Sequence, residues 1–190
     1  TNAAPGDLRF VDVNGDGVID ADDRTYIGDP IADVTMGLNL SFNYKNFDFN
    51  AYAFASLGNE IVRNYERTLP LTNRATYFLD RWTGPGTSNT VPRVTTGATG
   101  NNLFSDFFVE DGSFLRLQSV QLGYSVGDAA LEKLQFNKLR FYVSASNLFT
   151  LTKYKGYDPT TSNGAPIGGG IDQGFYPSPR TFLFGMNVNF

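Results

Sequence analysis

The residues with the clearest chemical potential lie between positions 12 and 23, in the run DVNGDGVIDADD. This run matches the calcium-loop template D-x-[DN]-x-[DN]-G at its first six positions. The side chains at positions 1, 3, 5, 9 and 12 of such a loop and the carbonyl at position 7 supply the hard oxygen ligands that calcium prefers, and glycine at position 6 allows the sharp turn. The run therefore predicts a calcium site with the ligands Asp12, Asn14, Asp16, Val18, Asp20 and Asp23.

The charge distribution supports a cation in this region. Residues 1–33 contain eight aspartates against Arg9 and Arg24, whereas the chain as a whole has a net charge of only -4. Five aspartates lie within the loop, and without a cation they would repel each other. Asp23 departs from the template, because a longer Glu is usual at position 12. Neither flank has the pattern of a long amphipathic helix, so we expect a structural ion rather than a sensor-type helix pair. The alternative is a metal-free Asp/Asn/Gly turn.

Several enzyme classes are excluded by composition. The chain has neither Cys nor His, which rules out disulfides, thiol nucleophiles, Cys-based zinc sites and His general bases. A paired-carboxylate hydrolase needs two acids held at a fixed separation across a cleft, and no pattern here sets one up. We therefore predict that the chain is not an enzyme. No basic patch is interleaved with aromatic residues, so we expect no nucleic-acid partner.

Most of the remaining chain alternates between apolar and polar residues with period two, which is typical of strands. Strands in globular proteins average about 5–6 residues, whereas tilted membrane-spanning strands need about 9–11. Repeated long alternation with aromatic ends favours a transmembrane barrel, although a soluble β-sandwich also alternates. The predicted strands are 35–44, 47–57, 113–126, 138–149 and 180–190.

The connections between these strands alternate between short and long. Residues 45–46 and 127–137 form short connections, whereas 58–112 and 150–179 form long ones. Outer-membrane barrels separate short periplasmic turns from long extracellular loops in this way, and a sandwich has no reason to do so. The pattern therefore predicts an acidic segment at 1–34, followed by a barrel region at 35–190.

Four pieces of the chain resemble the C-terminal region of SusC/RagA-type TonB-linked (TonB-dependent) outer-membrane transporters. They are PGDLRFVDVNGDGVIDADDRTYIGDP (5–30), VEDGSFLRLQSVQLGYSV (109–126), YVSASNLFTLTKYKGYDP (142–159) and YPSPRTFLFGMNVNF (176–190). The resemblance implies an all-β chain that supplies about the last five strands of a 22-stranded antiparallel barrel. It also implies that an N-terminal plug and a TonB-contacting part lie outside this chain.

The functional expectations follow from the same resemblance. The family imports nutrients such as oligosaccharides or peptides across the outer membrane of Gram-negative bacteria. A SusD-like surface lipoprotein covers the barrel, the TonB complex supplies energy through the N-terminal part, and lipid surrounds the wall. The resemblance also implies that 1–34 and both long connections are extracellular. The alternative is a soluble, calcium-stabilised carbohydrate-binding β-domain.

The last predicted strand has an unbroken apolar stripe from Phe182 to Phe190 at every second residue. In a barrel such a stripe faces lipid. The spacing Gly185-x-x-Val188-x-Phe190 also resembles the C-terminal signal that the outer-membrane insertion machinery recognises. We therefore predict that Gly185, Val188 and Phe190 form an assembly signal. The pattern assigns no substrate-contacting residue.

Overall fold

The computed structural model describes residues 3–68, 74–97, 99–160 and 169–190. Parts of the two predicted long loops, at 69–73, 98 and 161–168, therefore lie outside the described residues. The chain divides into two compact units. The first comprises residues 1–28, 62–110 and 171–174, and the second comprises 29–61, 111–170 and 175–190.

Strands dominate the described residues. Two short helices, α1 (Asn64–Thr68) and α2 (Asp128–Leu134), accompany them, with 3-10 turns at Ala21–Asp23, Thr76–Asp80, Gly100–Asn102 and Asp106–Phe108. No helix among the described residues is both long enough and apolar enough to span a bilayer. The strands are β1 (Val34–Tyr44), β2 (Phe47–Leu57), β3 (Glu60–Arg63), β4 (Val109–Asp111), β5 (Phe114–Ser125), β6 (Lys138–Thr152), β7 (Ile171–Asp172) and β8 (Thr181–Asn189).

The second unit is built on one antiparallel sheet with the strand order β1-β2-β5-β6-β8. The prediction of an antiparallel all-β fold is confirmed. β6 runs three residues beyond the predicted end at 149, because Leu151 and Thr152 pair with Leu115 and Phe114 of β5. β8 is one residue shorter at each end than the predicted 180–190.

One face of this sheet is apolar, and the other carries most of its polar residues. Directly opposed residues of antiparallel strands share a face. We call one face the apolar face; one row across it reads Leu40, Ala51, Val120, Ala145 and Phe182. We call the other the polar face, and the adjacent row across it reads Ser41, Asn50, Gln121, Ser144 and Leu183.

A bulge in β5 keeps the apolar face continuous. Tyr52 pairs with Ser119 whereas Ala53 pairs with Leu117, so Gln118 is the extra residue on β5. Leu117 and Val120 consequently both lie on the apolar face although they are three residues apart. Period two extended through Gln118 would have placed Val120 on the polar face, because a one-residue shift exchanges the faces.

The connections of the sheet separate by length. The turn at 45–46 and the connection that contains α2 lie at one end, where Ser125 donates its N–H to the carbonyl of Asn46 at 2.8 Å. Asn189, the last residue of β8, pairs with Lys138 at this same end. The connections from β2 to β5 and from β6 to β8 leave from the opposite end.

The first unit joins residues that the sequence pattern predicts as separate regions. Residues before position 28 share this unit with 62–110, although the former were predicted as an acidic segment and the latter as a barrel loop. Phe108 and Phe78 are buried apolar side chains of this unit. A small sheet has the order β4-β3-β7, in which Val62 and Arg63 pair in parallel with Ile171 and Asp172.

Candidate functional site

The predicted calcium loop is closed by its own carboxylates. Asp12 accepts N–H groups from Gly15 and Asp16 through Oδ1, at 2.7 and 3.2 Å, and from Gly17 through Oδ2, at 2.7 Å. Gly15 and Gly17 adopt positive φ, which glycine tolerates at no steric cost. The first half of the loop therefore wraps around the carboxylate at position 1, and Gly17 at position 6 makes the sharp turn that the template calls for.

Asp23 closes the second half of the loop. Its Oδ1 accepts the N–H of Val13 at 2.7 Å and its Oδ2 accepts the N–H of Asp20 at 2.8 Å. These N–H donors lower the pKa of the Asp23 carboxyl. Asp20 in turn caps the 3-10 turn Ala21–Asp23. The position-12 carboxylate thus lies next to the start of the loop, although no three acidic side chains converge on one point within the described residues.

Asp7 anchors the segment that leads into this loop. It accepts from Nε and Nη2 of Arg93 at 2.7 and 3.0 Å, and from the amide of Asn101 at 2.9 Å. The Arg93 hydrogen bond is the main reason that the pKa of Asp7 is lowered to about 2. Asn101 also accepts the N–H of Leu8 at 2.8 Å. These contacts join residues that are more than 80 positions apart in sequence, and they explain why the acidic segment shares a unit with 62–110.

A second charged cluster lies in the core of the first unit. Arg63 is almost fully buried and contacts the carboxylates of Glu66 and Glu110, the latter at 2.8 Å. Its guanidinium lies over the rings of Tyr77 and Phe107, with centroid distances of 5.0 and 5.6 Å. Burial alone would lower the pKa of Arg63, but the electrostatic effects of Tyr77, Glu110 and Glu66 outweigh burial and raise the pKa. This cluster was missed by sequence analysis, because its members are scattered along the chain without a periodic signal.

Two ion pairs lie on the polar face of the five-stranded sheet. Arg140 binds Asp48 through Nε at 3.0 Å and Nη2 at 2.6 Å, reaching across β5 at Gly123. A Cβ on Gly123 would collide with both partners, so the glycine makes room for the pair. Arg116 and Asp158 form the second pair, and both are buried. These contacts show that Arg116 and Arg140 are ion-paired on the polar face.

The three predicted assembly residues occupy different positions. Gly185 lies on the polar face beneath the ring of Tyr142, which a Cβ at this position would strike. Val188 lies opposite Leu139 on the apolar face. Phe190 follows β8, is 81% exposed and meets the ring of Phe136 edge-on at a centroid distance of 5.3 Å. Their role in assembly stays a prediction.

The fold is similar to that of solved importers. The RagAB peptide importer in the open-open state matches with a TM-score of 0.63 and 25% identity over 82% of this chain and 17% of that chain. A RagAB peptide transporter matches in fold with a TM-score of 0.66, at 22% identity over 92% of this chain and 20% of that chain. No family model matches the sequence.

Curated relatives carry the decisive likeness. TonB-dependent receptor P3 of Formosa agariphila is 37% identical over 195 residues, which is 98% of this chain and 19% of that protein. TonB-dependent receptor SusC of Bacteroides thetaiotaomicron is 36% identical over 100% of this chain and 18% of that protein. The resemblance to SusC/RagA-type TonB-dependent receptors is confirmed. These relatives are receptors and importers rather than enzymes, as the sequence predicts for this chain.

The chain corresponds to only part of each curated relative. The chain spans about a fifth of the length of the curated receptors that it matches. Nearly all of the chain takes part in each of these matches, so both compact units fall within them. The activity, substrates and partners of a whole receptor reach this chain only as a proposal.

Proposed function

We propose that this chain forms part of the barrel wall and outer loops of a TonB-dependent outer-membrane importer. Its substrates would be nutrients such as oligosaccharides or peptides, and a SusD-like lipoprotein would work with it at the cell surface. Energy would come from the TonB complex through a part of the receptor outside this chain. The wall would comprise β1, β2, β5, β6 and β8, within a barrel of 22 strands.

The observation that carries this proposal is the two-sided sheet. Its apolar face exposes large side chains on every strand, among them Phe42, Phe141 and Phe184. Each large apolar side chain removed from water contributes about 1.5–3 kcal/mol, so this face is costly in water and stable in lipid. Exposed apolar patches of this extent mark membrane or protein contacts in general. The soluble carbohydrate-binding alternative is disfavoured because it leaves this face without cover.

Site-specific labelling tests the wall assignment. This chain has no Cys, so in a full-length receptor whose other cysteines are replaced by serine, single cysteines at Phe184 or at Asn187 would report the two faces of β8. We expect Phe184→Cys to resist a charged, water-soluble maleimide in the folded receptor and to react with it after unfolding, because a thiol in lipid stays protonated and the thiolate is the nucleophile. Asn187→Cys should react with the same reagent in the folded receptor. Fast reaction of both cysteines with the charged reagent would contradict a lipid-facing wall.

We also propose that the loop at 12–23 binds one calcium ion. The support is an oxygen-only donor set, the closed turn around Asp12 and the position of Asp23 beside Val13. Asp12, Asn14, Asp16, Asp20 and Asp23 would hold the ion with the carbonyl of Val18. A bound ion would neutralise the repulsion among the aspartates and stiffen a segment that is exposed over most of its length.

Calorimetry on the full-length receptor tests the calcium proposal. We expect one calcium site in the wild-type receptor beyond those found in an Asp12→Asn/Asp16→Asn variant. Chelation should increase proteolytic cleavage at 12–23 and leave the barrel strands intact. The matched control is Asp80→Asn, which removes an exposed aspartate outside the loop. Equal calcium binding by the loop variant and the wild type would overturn the proposal.

A further inference from the structure

The β6–β8 loop, residues 153–180, is held at its base by a buried ion pair. Arg116 of β5 lies on the polar face, and Asp158 lies six residues beyond the end of β6. The exposed fractions of their side chains are 9% and 4%. A buried pair of this kind is a strong constraint, because removal of one partner leaves the other charge buried and uncompensated.

Arg116 uses all three of its side-chain nitrogens in this region. Nε donates to the hydroxyl of Thr150 at 2.8 Å, and Nη1 donates to the hydroxyl of Thr160 at 3.1 Å. Nη2 donates to Oδ1 of Asp158. Thr150 is the direct partner of Arg116 in the sheet. One guanidinium therefore joins β5, β6 and the first part of the β6–β8 loop.

Asp158 joins the outgoing and returning ends of the same loop. Its Oδ1 accepts the N–H and the hydroxyl of Thr160 at 2.9 and 2.8 Å, and its Oδ2 accepts the N–H of Ser178 at 3.0 Å. Ser178 is three residues before β8. Burial alone would raise the pKa of Asp158, but these N–H groups and Arg116 outweigh it and lower the pKa to about 2. The carboxylate is thus ionised across the ordinary pH range.

We propose that Arg116 and Asp158 are positioning residues that latch the base of the β6–β8 loop onto the polar face of the sheet. Asp158 and Thr160 at the outgoing end of the loop and Ser178 at its returning end are fixed there. Neither charge is available to bind a transported solute. Their role is to set the position of the loop rather than to contact substrate.

The latch also shapes a recess over the polar face. Pro159 and Thr160 form one wall of a hollow of about 270 Å³, and Phe54, Ser56 and Phe114 lie among the residues that line the rest. The rings of Phe54 and Phe114 are tilted against each other with a centroid distance of 5.9 Å. Release of the latch would remove this wall. That the recess faces a transport path rests on the proposed importer function; the latch itself does not.

Spin labelling of the full-length receptor tests the latch. Tyr176 is almost fully exposed and lies two residues before Ser178, so a nitroxide on Tyr176→Cys reports the returning end of the loop. Charge-assisted hydrogen bonds of this kind predict an increase of about tenfold or more in the opened fraction when Asp158→Asn or Arg116→Gln is introduced. The double variant should be no more mobile than either single variant, because each breaks the same latch.

The second readout follows the recess, and the control is the other polar-face ion pair. Ser56→Cys should react faster with a water-soluble maleimide in both latch variants. Asp48→Asn breaks the pair with Arg140 at the opposite end of the sheet and should change neither the nitroxide spectrum nor the labelling rate. If Asp158→Asn does not insert, Thr160→Val removes only one hydroxyl of the network and should raise mobility by a smaller factor. Unchanged mobility in the inserted variants, or an equal increase in Asp48→Asn, would overturn the proposal.

Discussion

At the scale of single residues, carboxylates hold the loops of this chain in place by accepting several hydrogen bonds each. Asp7 and Asp158 each accept several donors from residues distant in sequence, and each has a pKa lowered to about 2. Asp12 and Asp23 instead accept backbone N–H groups within their own loop. The first pair therefore links separate segments of chain, and the second closes one turn.

Acid should release the anchor at Asp7 before the sheet unfolds. The pKa of Asp7 falls from its usual 3.8 to about 2 in the folded chain, so the anchor contributes its full stability above pH 3.8 and loses it as the pH falls towards 2. We expect proteolysis of residues 3–10 in the full-length receptor to rise over this interval. Asp7→Asn should be cleaved readily at neutral pH and show little further change. The measurement needs an acid-stable protease. A wild-type cleavage rate that does not change from pH 5 to pH 2 would contradict the role of Asp7 as an anchor.

Gly123 should matter because it makes room for the ion pair between Asp48 and Arg140. Gly123→Ala places a methyl group where the two side chains meet, and overpacking of this kind costs about 1–3 kcal/mol. In an Asp48→Asn/Arg140→Gln background the same change should cost much less, since the pair is already absent. The thermal unfolding of the folded barrel in detergent measures both costs. Equal costs in the two backgrounds would show that Gly123 serves another purpose.

At the scale of elements, sequence periodicity located the strands well and the bulge poorly. Alternation identifies β1 and β8 because each strand separates an apolar face from a largely polar one. It also located β2, although Tyr52 and Phe54 give that strand bulky residues on both faces. The bulge was not predicted, although the consecutive polar residues Gln118 and Ser119 break the alternation where β5 shifts its register. The template spacing identified the turn at 12–23, because glycine and aspartate at fixed positions dictate local backbone geometry. No local sequence pattern predicts the ion pair between Asp7 and Arg93 or that between Arg63 and Glu110, because the partners are distant in sequence.

The final strand carries a prediction of its own. Phe190 is exposed at the end of the apolar stripe, and only Phe136 contacts its ring among the described aromatic side chains. If Phe190 belongs to the assembly signal, its deletion or Phe190→Asp should strongly reduce the folded receptor in the outer membrane. Asn187→Ser lies on the polar face and should have little effect. Heat-modifiable mobility of the barrel on gels measures the inserted fraction. Normal insertion without Phe190 would refute its role in the signal.

At the scale of the whole molecule, the sheet sorts its connections by length, and this has a consequence for orientation. The turn at 45–46, the α2 connection and the end of β8 lie at one end of the strands. Both long connections leave from the other end. Barrels of the outer membrane place short turns in the periplasm and long loops outside. If the chain is part of such a barrel, the sorting alone fixes which end of every strand faces the medium.

Cysteine labelling in intact cells tests this orientation. A membrane-impermeant maleimide should modify Asn89→Cys, which lies exposed in the connection between β2 and β5, and should spare Lys45→Cys. Permeabilisation of the outer membrane should make Lys45→Cys reactive, which controls for a cysteine that is simply buried. The physical reason is that a strand cannot be reversed without carrying charged and polar loops of more than 25 residues through the bilayer core. Labelling of Lys45→Cys before permeabilisation would show that the proposed orientation is wrong. It would be wrong for all five strands at once, because their antiparallel register links them.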